Sequence, residues 1–219
     1  MKRYEINTPV GTRDRIYDEC KVRRRLENAL ISVFEESGFS EVSSPTMEYM
    51  DVVMTPLNPL PQEILYKISE CTGRMLVLRP DMTTPIARIA ATKIDTSALP
   101  AKFYYMDKVF RASREDTGRP TEIMQGGVER IGNGGIEADV DTILLAAKAL
   151  RACTDKKFHI EIGHAGYFKS LAQKLDISDA EFERMRGYIE NKNFAALSDM
   201  LLEYGDTEAT RAINKLSRM

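Results

Sequence analysis

The chain has 219 residues, of which 43% are hydrophobic and 29% are charged, and this composition excludes a disordered chain. A formal net charge of -2 excludes a bulk attraction to nucleic acid or to an anionic membrane. No apolar run approaches the roughly 20 residues that a membrane span needs, and the opening residues lack the apolar core of a signal peptide. We therefore expect a cytoplasmic protein for which nucleic acid and membranes are not partners.

Cysteine and histidine usage indicates neither a disulfide framework nor a metal centre. Cys20, Cys71 and Cys153 are odd in number and form no C-x-x-C pair. The two histidines, His159 and His164, are too few for a histidine cluster. We expect reduced thiols, no bound metal and no cofactor.

The first predicted element is a long amphipathic helix. Apolar residues recur at helical spacing over 14–37, with Gly38 as a stop and Thr12 or Asp14 as the cap. Three consecutive arginines, 23–25, lie on this helix. They favour a solvated face over a nucleic-acid patch, because three basic residues are a weak electrostatic footprint.

Short strands and a second helix follow. Strands are predicted over 39–43, 65–69 and 75–78. Pro45 ends the first strand and suits a sheet edge or an interface, and Gly73 marks the turn between the other two. Thr84-Pro85 is a strong signal for the start of a helix that extends to about Thr92.

The rest of the chain predicts a strand pair, a helix, one more strand and then short helices alone. The predicted strands cover 103–111, 122–131 and 157–162, and the helix covers 136–150. The helix has one apolar stripe, formed by Val140, Ile143, Leu144, Ala147 and Leu150. Strands stop after this region, and a boundary is predicted near Gly166. Helices that flank a mainly antiparallel sheet define an α+β architecture.

One face of the strand pair carries groups unsuited to a core. The two-residue period of a strand places these residues on it: Arg111, Gln125, Gly127 and Glu129. An arginine fork binds a carboxylate or phosphate, a glutamate binds an ammonium, and the glycine leaves space for a ligand. The face therefore suits an amino acid or an aminoacyl-like molecule. The alternative is that Arg111 and Glu129 pair with each other across an exposed sheet.

A polar turn between a strand and a helix, residues 79–85, is the second candidate site. Asp81 could bind an ammonium, and Thr83 could donate or accept at the same ligand. The alternative is helix capping by Thr83 or Thr84, with Asp81 complementing the helix dipole. Arg119, in a loop tip, is a candidate phosphate ligand, or else a solvated loop arginine.

These segments, in this order, resemble the catalytic core of class II histidyl-tRNA synthetases and of their paralogue, the regulatory subunit of ATP phosphoribosyltransferase. FSEVSSPTMEY around Pro45 resembles the dimer-interface motif 1, and VLRPDMTTPIARIAAT resembles the family's substrate turn. VFR, GRP and QGGVERIG together resemble motif 2. The resemblance covers residues 9 to about 200 and implies a class II synthetase-like core over 1–166, which is incomplete, and a small helical insert over 167–219.

The resemblance also implies a ligand and partners. The residues that match the family's histidine-binding positions are Asp81, Thr83, Arg111, Gln125 and Glu129. For the regulatory relative, the implied partners are the catalytic ATP phosphoribosyltransferase subunit and a second copy of the chain, joined through the motif 1-like region. No catalytic residue is expected in that case.

Departures from the synthetase pattern favour the regulatory relative. Ser113 stands where synthetases carry a glutamate that reads adenine, and Thr121 stands where they carry a second loop arginine. Asp81-Met82 replaces the synthetase Glu-Gly and is typical of the paralogue. The expected function is a non-catalytic, histidine-sensing subunit that activates its catalytic partner. The alternatives are the catalytic core of a histidyl-tRNA synthetase and an α+β module that binds another amino acid.

Overall fold

The computed structural model describes residues 7–55, 60–113 and 118–216. The chain divides into two compact units, Met1–Lys157 and Phe158–Met219. Among the described residues, none of the helices is both long and apolar enough to cross a membrane.

The first unit contains all six strands found in the described residues, together with four α-helices and two short 3-10 helices, Gln62–Ile64 and Thr96–Ala98. Its elements in chain order are α1 (Asp18–Glu36), β1 (Ser40–Glu41), β2 (Met47–Tyr49), α2 (Met50–Val53), β3 (Lys67–Ser69), β4 (Met75–Leu78), α3 (Thr83–Lys93), β5 (Ala101–Phe110), β6 (Glu122–Ile131) and α4 (Ile136–Cys153).

The strands form two small sheets with mainly antiparallel pairing. One sheet has the order β1-β5-β6, in which β1 is parallel to β5 and β5 is antiparallel to β6. The other has the order β2-β4-β3 and is antiparallel throughout. The predicted α+β architecture and the predicted strand pairs are confirmed.

Helices cover both faces of the β5–β6 pair because successive side chains of a strand point to opposite faces. Tyr104 joins the core beneath α1 and α4, where it packs with Phe34 and Leu145. Tyr105 points to the other face, where it packs with Ile86 of α3 and with Met82, the residue just before this helix. The ten-residue strand pair therefore fixes what each face presents.

Helix α1 begins later than predicted, and its predicted caps are wrong. It starts at Asp18, after Tyr17, which has a φ of 49° and makes no side-chain capping bond. The Thr12 hydroxyl donates instead to the Pro9 carbonyl, 2.7 Å away, within its own turn. The predicted stop is confirmed, since Gly38 follows the helix with a φ of 79°, which favours glycine.

Helix α4 is buried through a different stripe from the predicted one. Ala138, Leu145 and Ala149 are its buried residues, whereas Val140 and Leu144 are exposed. Leu145 and Ala149 belong to the core cluster shared with α1. Small alanine side chains allow α1 and α4 to pack closely against each other. Periodicity identified the helix but not its packed face.

The strand predicted over 157–162 is absent. These residues belong to no helix or strand and pair with no described strand, and Ile160 and Ile162 are exposed. Alternating apolar residues favour a strand only where a neighbouring strand accepts the backbone hydrogen bonds. The segment crosses the division between the two units.

The second unit is helical. Its helices are α5 (Ala165–Gln173), α6 (Asp179–Glu190), α7 (Phe194–Leu202) and α8 (Glu208–Leu216). Their shared core includes Met185, Leu197 and Ile213. A capping box between Ser178 and Glu181 begins α6. The short helices predicted after Tyr167 are confirmed, and their assignment as an insert remains a prediction.

Candidate functional site

The turn that precedes α3 is anchored by Arg79. This arginine is buried and forms an ion pair with Asp107 of β5, 2.8 Å from Nη2 to Oδ1. Its Nε donates to the Lys108 carbonyl at 2.8 Å, and Nη1 donates to the Ser44 carbonyl at 2.6 Å. A buried guanidinium needs such partners, because unpaired burial of a charge is costly. The turn is therefore fixed against the strand pair.

Within this turn, the side chains of Asp81 and Thr83 each form a hydrogen bond, one with the start of α3 and one with β6. Asp81 Oδ1 accepts a hydrogen bond from the Thr84 N–H at 3.0 Å, so the carboxylate, rather than a threonine, caps α3. The helix starts at Thr83, one residue before the predicted opening. The Thr83 hydroxyl donates to Glu129 Oε1 at 2.8 Å, which joins the turn to β6.

Glu129 is half-buried and lies in an acidic environment. Burial raises the pKa of its carboxyl, and the negative charge of Asp81 raises it further, while the hydrogen bond from Thr83 opposes the shift. No cation of the described residues pairs with Glu129. The two carboxylates therefore form a site at which a cationic group would be stabilised.

Tyr105 belongs to this cluster and was missed by the sequence analysis. It lies directly opposite Gly127 in the β5–β6 ladder and is almost fully buried. Burial raises the pKa of its hydroxyl, as do the charges of Glu129 and Asp81. The signal that could have revealed it is the register of the strand pair, which places a tyrosine across from a glycine.

The space expected beside Gly127 is occupied. A Cβ atom at this position would lie 2.5 Å from the Tyr105 hydroxyl oxygen, so the glycine accommodates the phenol instead of a ligand. The prediction of open space above Gly127 is wrong. The phenol therefore takes up the space next to the β6 backbone at Gly127.

Gln125 carries an unsatisfied acceptor. Its side chain shares the face of Gly127 and Glu129, opposite Asp107. Its Oε1 atom is buried, and none of the described residues donates a hydrogen bond to it. Because nearly all buried polar atoms have partners, this acceptor is open to a donor from a water molecule or a ligand.

Arg111 is linked to the same turn from the far end of the face. Its Nε donates to the Pro80 carbonyl at 2.8 Å. No ion pair joins Arg111 to Glu129 in the described structure, so the alternative of a direct pair is wrong. Three peptide units separate Pro80 from Thr83 and span at most about 11 Å. The turn thus bridges a cationic end and an acidic end.

Arg119 lies on the exposed residues 118–120 before β6. Its assignment as a phosphate ligand remains a prediction. In the residues described, there is no group of three or more His, Cys, Asp or Glu side chains that could hold a metal ion.

The arrangement is suited to binding a zwitterion. Glu129 lies at one end of the face, where the Thr83 hydroxyl bonds to it and Asp81 adds negative charge, and Gln125 lies four residues away along β6. The Arg111 guanidinium supplies donors at the other end. An ammonium and a carboxylate separated by a few bonds match this polarity.

The fold places the protein in the class of class II synthetase-like α+β proteins. The structure aligns with the crystal structure of an ATP phosphoribosyltransferase regulatory subunit/histidyl-tRNA synthetase from Bacillus halodurans. The TM-score is 0.87 at 28% identity, and the alignment covers 99% of this chain and 56% of that chain. The predicted class II synthetase-like fold is confirmed.

The family model for histidyl-tRNA synthetase matches residues 11–219, and the chain therefore belongs to this family. Curated relatives point to its regulatory branch. The chain is 39% identical over 206 residues to an ATP phosphoribosyltransferase regulatory subunit of Clostridium acetobutylicum, covering 94% of this chain and 50% of the relative. It is 41% identical over 219 residues to the subunit of that name from Clostridium kluyveri, covering 100% and 56%. The chain thus spans about half the length of these relatives.

Proposed function

We propose that the protein is a non-catalytic regulatory subunit of ATP phosphoribosyltransferase that binds histidine on the β5–β6 face. It partners the catalytic subunit, activates it and relays feedback inhibition by histidine. The names of the curated relatives support the regulatory assignment. The proposal also places the protein in the cytoplasm, with the free cysteines of the described chain reduced.

The observation that carries the ligand proposal is the unsatisfied polarity of the face. Gln125 Oε1 is buried without a donor, and Glu129 is half-buried beside Asp81 without a cation from the described residues. A histidine ammonium would supply a positive charge with three donors, and its imidazole would supply a further N–H. Its carboxylate would suit the Arg111 fork.

The surroundings of Thr121 support a role without ATP chemistry. Thr121 is buried, and its N–H donates to the Gly11 carbonyl at 2.9 Å. Its side chain lies against Gly11, where even a Cβ atom would approach within 2.5 Å. A buried threonine therefore stands where the synthetases carry an arginine, and the chain lacks that donor for a phosphate. Removing a phosphate-binding arginine weakens the orientation of ATP.

Regulation of this kind requires differential affinity and no bond chemistry. Histidine must bind one state of the assembly more tightly than the other, and linkage then makes the coupling reciprocal. A site that binds a zwitterion and has no nucleophile to activate is sufficient for this role.

Titration calorimetry with histidine tests the proposal. We expect Glu129→Gln to weaken histidine binding by at least about tenfold, since it removes one buried charge and keeps the side-chain shape. Arg111→Lys should also weaken binding, because an ammonium lacks the bidentate fork. Glu122→Gln is the matched control: it makes the same charge change on β6 but on the opposite face.

The outcomes separate the competing functions. Equal affinity of Glu129→Gln and wild type, or a large loss of thermal stability with unaltered affinity, would make Glu129 structural. Tighter binding of another amino acid would favour the general binding module. Histidine-dependent exchange of pyrophosphate into ATP would contradict a non-catalytic subunit and favour the synthetase.

A further inference from the structure

A cleft lined by basic side chains lies on the other face of the β5–β6 pair. Its cavity of about 520 Å³ is bordered by five basic residues: Arg13, Arg15, Arg23, Arg24 and Lys108. Lys108 and Glu122 alternate with the residues of the candidate histidine site along their strands, so they leave the sheet on the opposite side. None of the proposed histidine-binding residues borders this cleft.

The arginines of the cleft are incompletely neutralised. Arg23 Nε lies 2.8 Å from Glu27 Oε1, and Arg24 Nη1 lies 3.4 Å from Oε2 of the same buried carboxylate. Two cations therefore share one anion. Arg15 is half-buried and makes no ion pair with any described residue. A half-buried guanidinium without an anion favours an anionic ligand.

The acidic residues of the cleft leave this excess in place. Among the described acidic residues, only Asp14 and Glu122 border the cleft. Glu122 already forms an ion pair with Lys108, with 2.6 Å between Oε1 and Nζ. Arg13 lies 3.7 Å from Glu19, but both side chains are more than half exposed, so this pair is weak.

The cleft has the size of a small-molecule site. A second depression of about 240 Å³ adjoins it and extends along Gly11 to Gly118 and Pro120, sharing Arg13 and Arg15 as its wall. Small-molecule pockets have volumes of roughly 300–1,000 Å³. The basic residues form a compact cluster instead of a long stripe, and the chain has a net charge of -2, which disfavours a nucleic acid.

We propose that this cleft is a binding site for an oligophosphate-bearing small molecule, separate from the histidine site. Arginine forks that converge from the segment before α1 and from α1 itself match the several charged oxygens of such a group. The cleft is also tied to the histidine site through the backbone. Thr121 donates its N–H to Gly11 O, and Arg111 donates its N–H to Thr121 O, each at 2.9 Å.

Titration calorimetry with tripolyphosphate, ATP and adenosine tests this site on the 219-residue protein. We expect tripolyphosphate and ATP to bind and adenosine to give no heat of binding, because the protein recognises the negative charge of the phosphates. Arg15→Gln and Arg24→Gln should each weaken binding by about tenfold, the loss expected for one charge-assisted contact. Two variants are included so that failure of one to fold does not decide the outcome.

Arg25→Gln is the matched control, because Arg25 lies on α1 beside Arg24 but does not border the cleft. Its affinity should equal that of wild type. Three results would overturn the proposal: no binding of tripolyphosphate, equal weakening in Arg15→Gln and Arg25→Gln, or tighter binding of an acidic peptide such as hexaglutamate. The second would indicate unspecific surface charge, and the third would indicate a protein interface.

Discussion

At the scale of single residues, the candidate site is defined by a carboxylate without a paired cation and by an amide oxygen without a hydrogen-bond donor among the described residues. Glu129 is held next to another carboxylate, and Gln125 Oε1 is buried without a donor. Natural proteins tolerate such groups where a ligand completes them, because the cost of an unsatisfied polar group is otherwise about 1–3 kcal/mol.

The raised pKa of Glu129 predicts a pH-dependent affinity. A ligand ammonium stabilises the ionised carboxylate, so histidine binding should weaken as the pH falls through the raised pKa, which lies above the usual glutamate value of about 4.3. Titrations across this pH range should show the loss in wild type. The sign for folding is opposite: the free folded chain holds this proton more tightly than the unfolded chain, so ionisation of Glu129 lowers stability as the pH rises.

Glu129→Gln provides the control for this measurement, because histidine itself titrates near pH 6.5. The dependence that comes from the ligand should remain in the variant, and the dependence that comes from the carboxyl should disappear. Identical pH profiles for the two proteins would mean that the ligand does not meet Glu129.

At the scale of elements, much of the fold followed from local patterns, and the failures have identifiable causes. The strand pair 103–111 and 122–131 was predictable because alternation and a polar loop coincide there. The packed face of α4 was not, since Ala138 and Ala149 carry almost no hydrophobic signal and yet are buried. Segment 157–162 has the pattern of a strand but no neighbour among the described strands.

The shared face of the strand pair was predictable, but its contacts were not, and the assignment of its residues to histidine binding remains a prediction. The register places Gln125 and Glu129 on one face, as the two-residue period of a strand predicted. The bond between Thr83 and Glu129 and the contact of Arg111 with Pro80 depend on how the turn crosses the strands, which no local pattern encodes. Tyr105 was missed because an aromatic residue in a strand usually indicates core packing.

The pairing of Tyr105 with Gly127 makes a prediction about the β5–β6 element. Gly127→Ala should destabilise the protein by about 1–3 kcal/mol, because the added methyl group meets a phenol that is almost fully buried. Denaturant unfolding measures this loss. Combining it with Tyr105→Leu, which removes the hydroxyl and shortens the side chain, should recover part of the stability.

Gly134→Ala serves as the control, because a Cβ atom at Gly134 meets no other atom within 4 Å. Equal unfolding free energies of Gly127→Ala and wild type would show that the phenol does not lie over the glycine. Strict additivity of the two changes at positions 105 and 127 would also argue against their contact.

At the scale of the whole molecule, the chain consists of two units with separate cores. The proposed histidine-binding residues all belong to the first unit. The motif 1-like region, which the family resemblance assigns to a dimer interface, is also in this unit. Met47 of β2 leaves half of its surface exposed there, at 50%. A single exposed apolar side chain is ordinary on a protein surface, so the interface is predicted from the family resemblance of this segment.

We predict that a second copy of the chain covers Met47. Met47→Asp should lower the dimer fraction in analytical ultracentrifugation and remove the dependence of the melting temperature on protein concentration. Leu202→Asp is the control, because Leu202 is 78% exposed but lies in the second unit. A wild-type protein that sediments as a monomer at all concentrations, or a Met47→Asp variant that dimerises normally, would contradict this interface.

The bonds of Arg79 have a mechanical consequence. One guanidinium fastens the Ser44 carbonyl, Asp107 and the Lys108 carbonyl, so the turn and the sheet behave as a rigid frame. Thr83, by contrast, is the first residue of α3 and touches Glu129 directly. A ligand that displaces the Glu129 carboxylate would therefore act directly on Thr83, and through it on the first turn of α3.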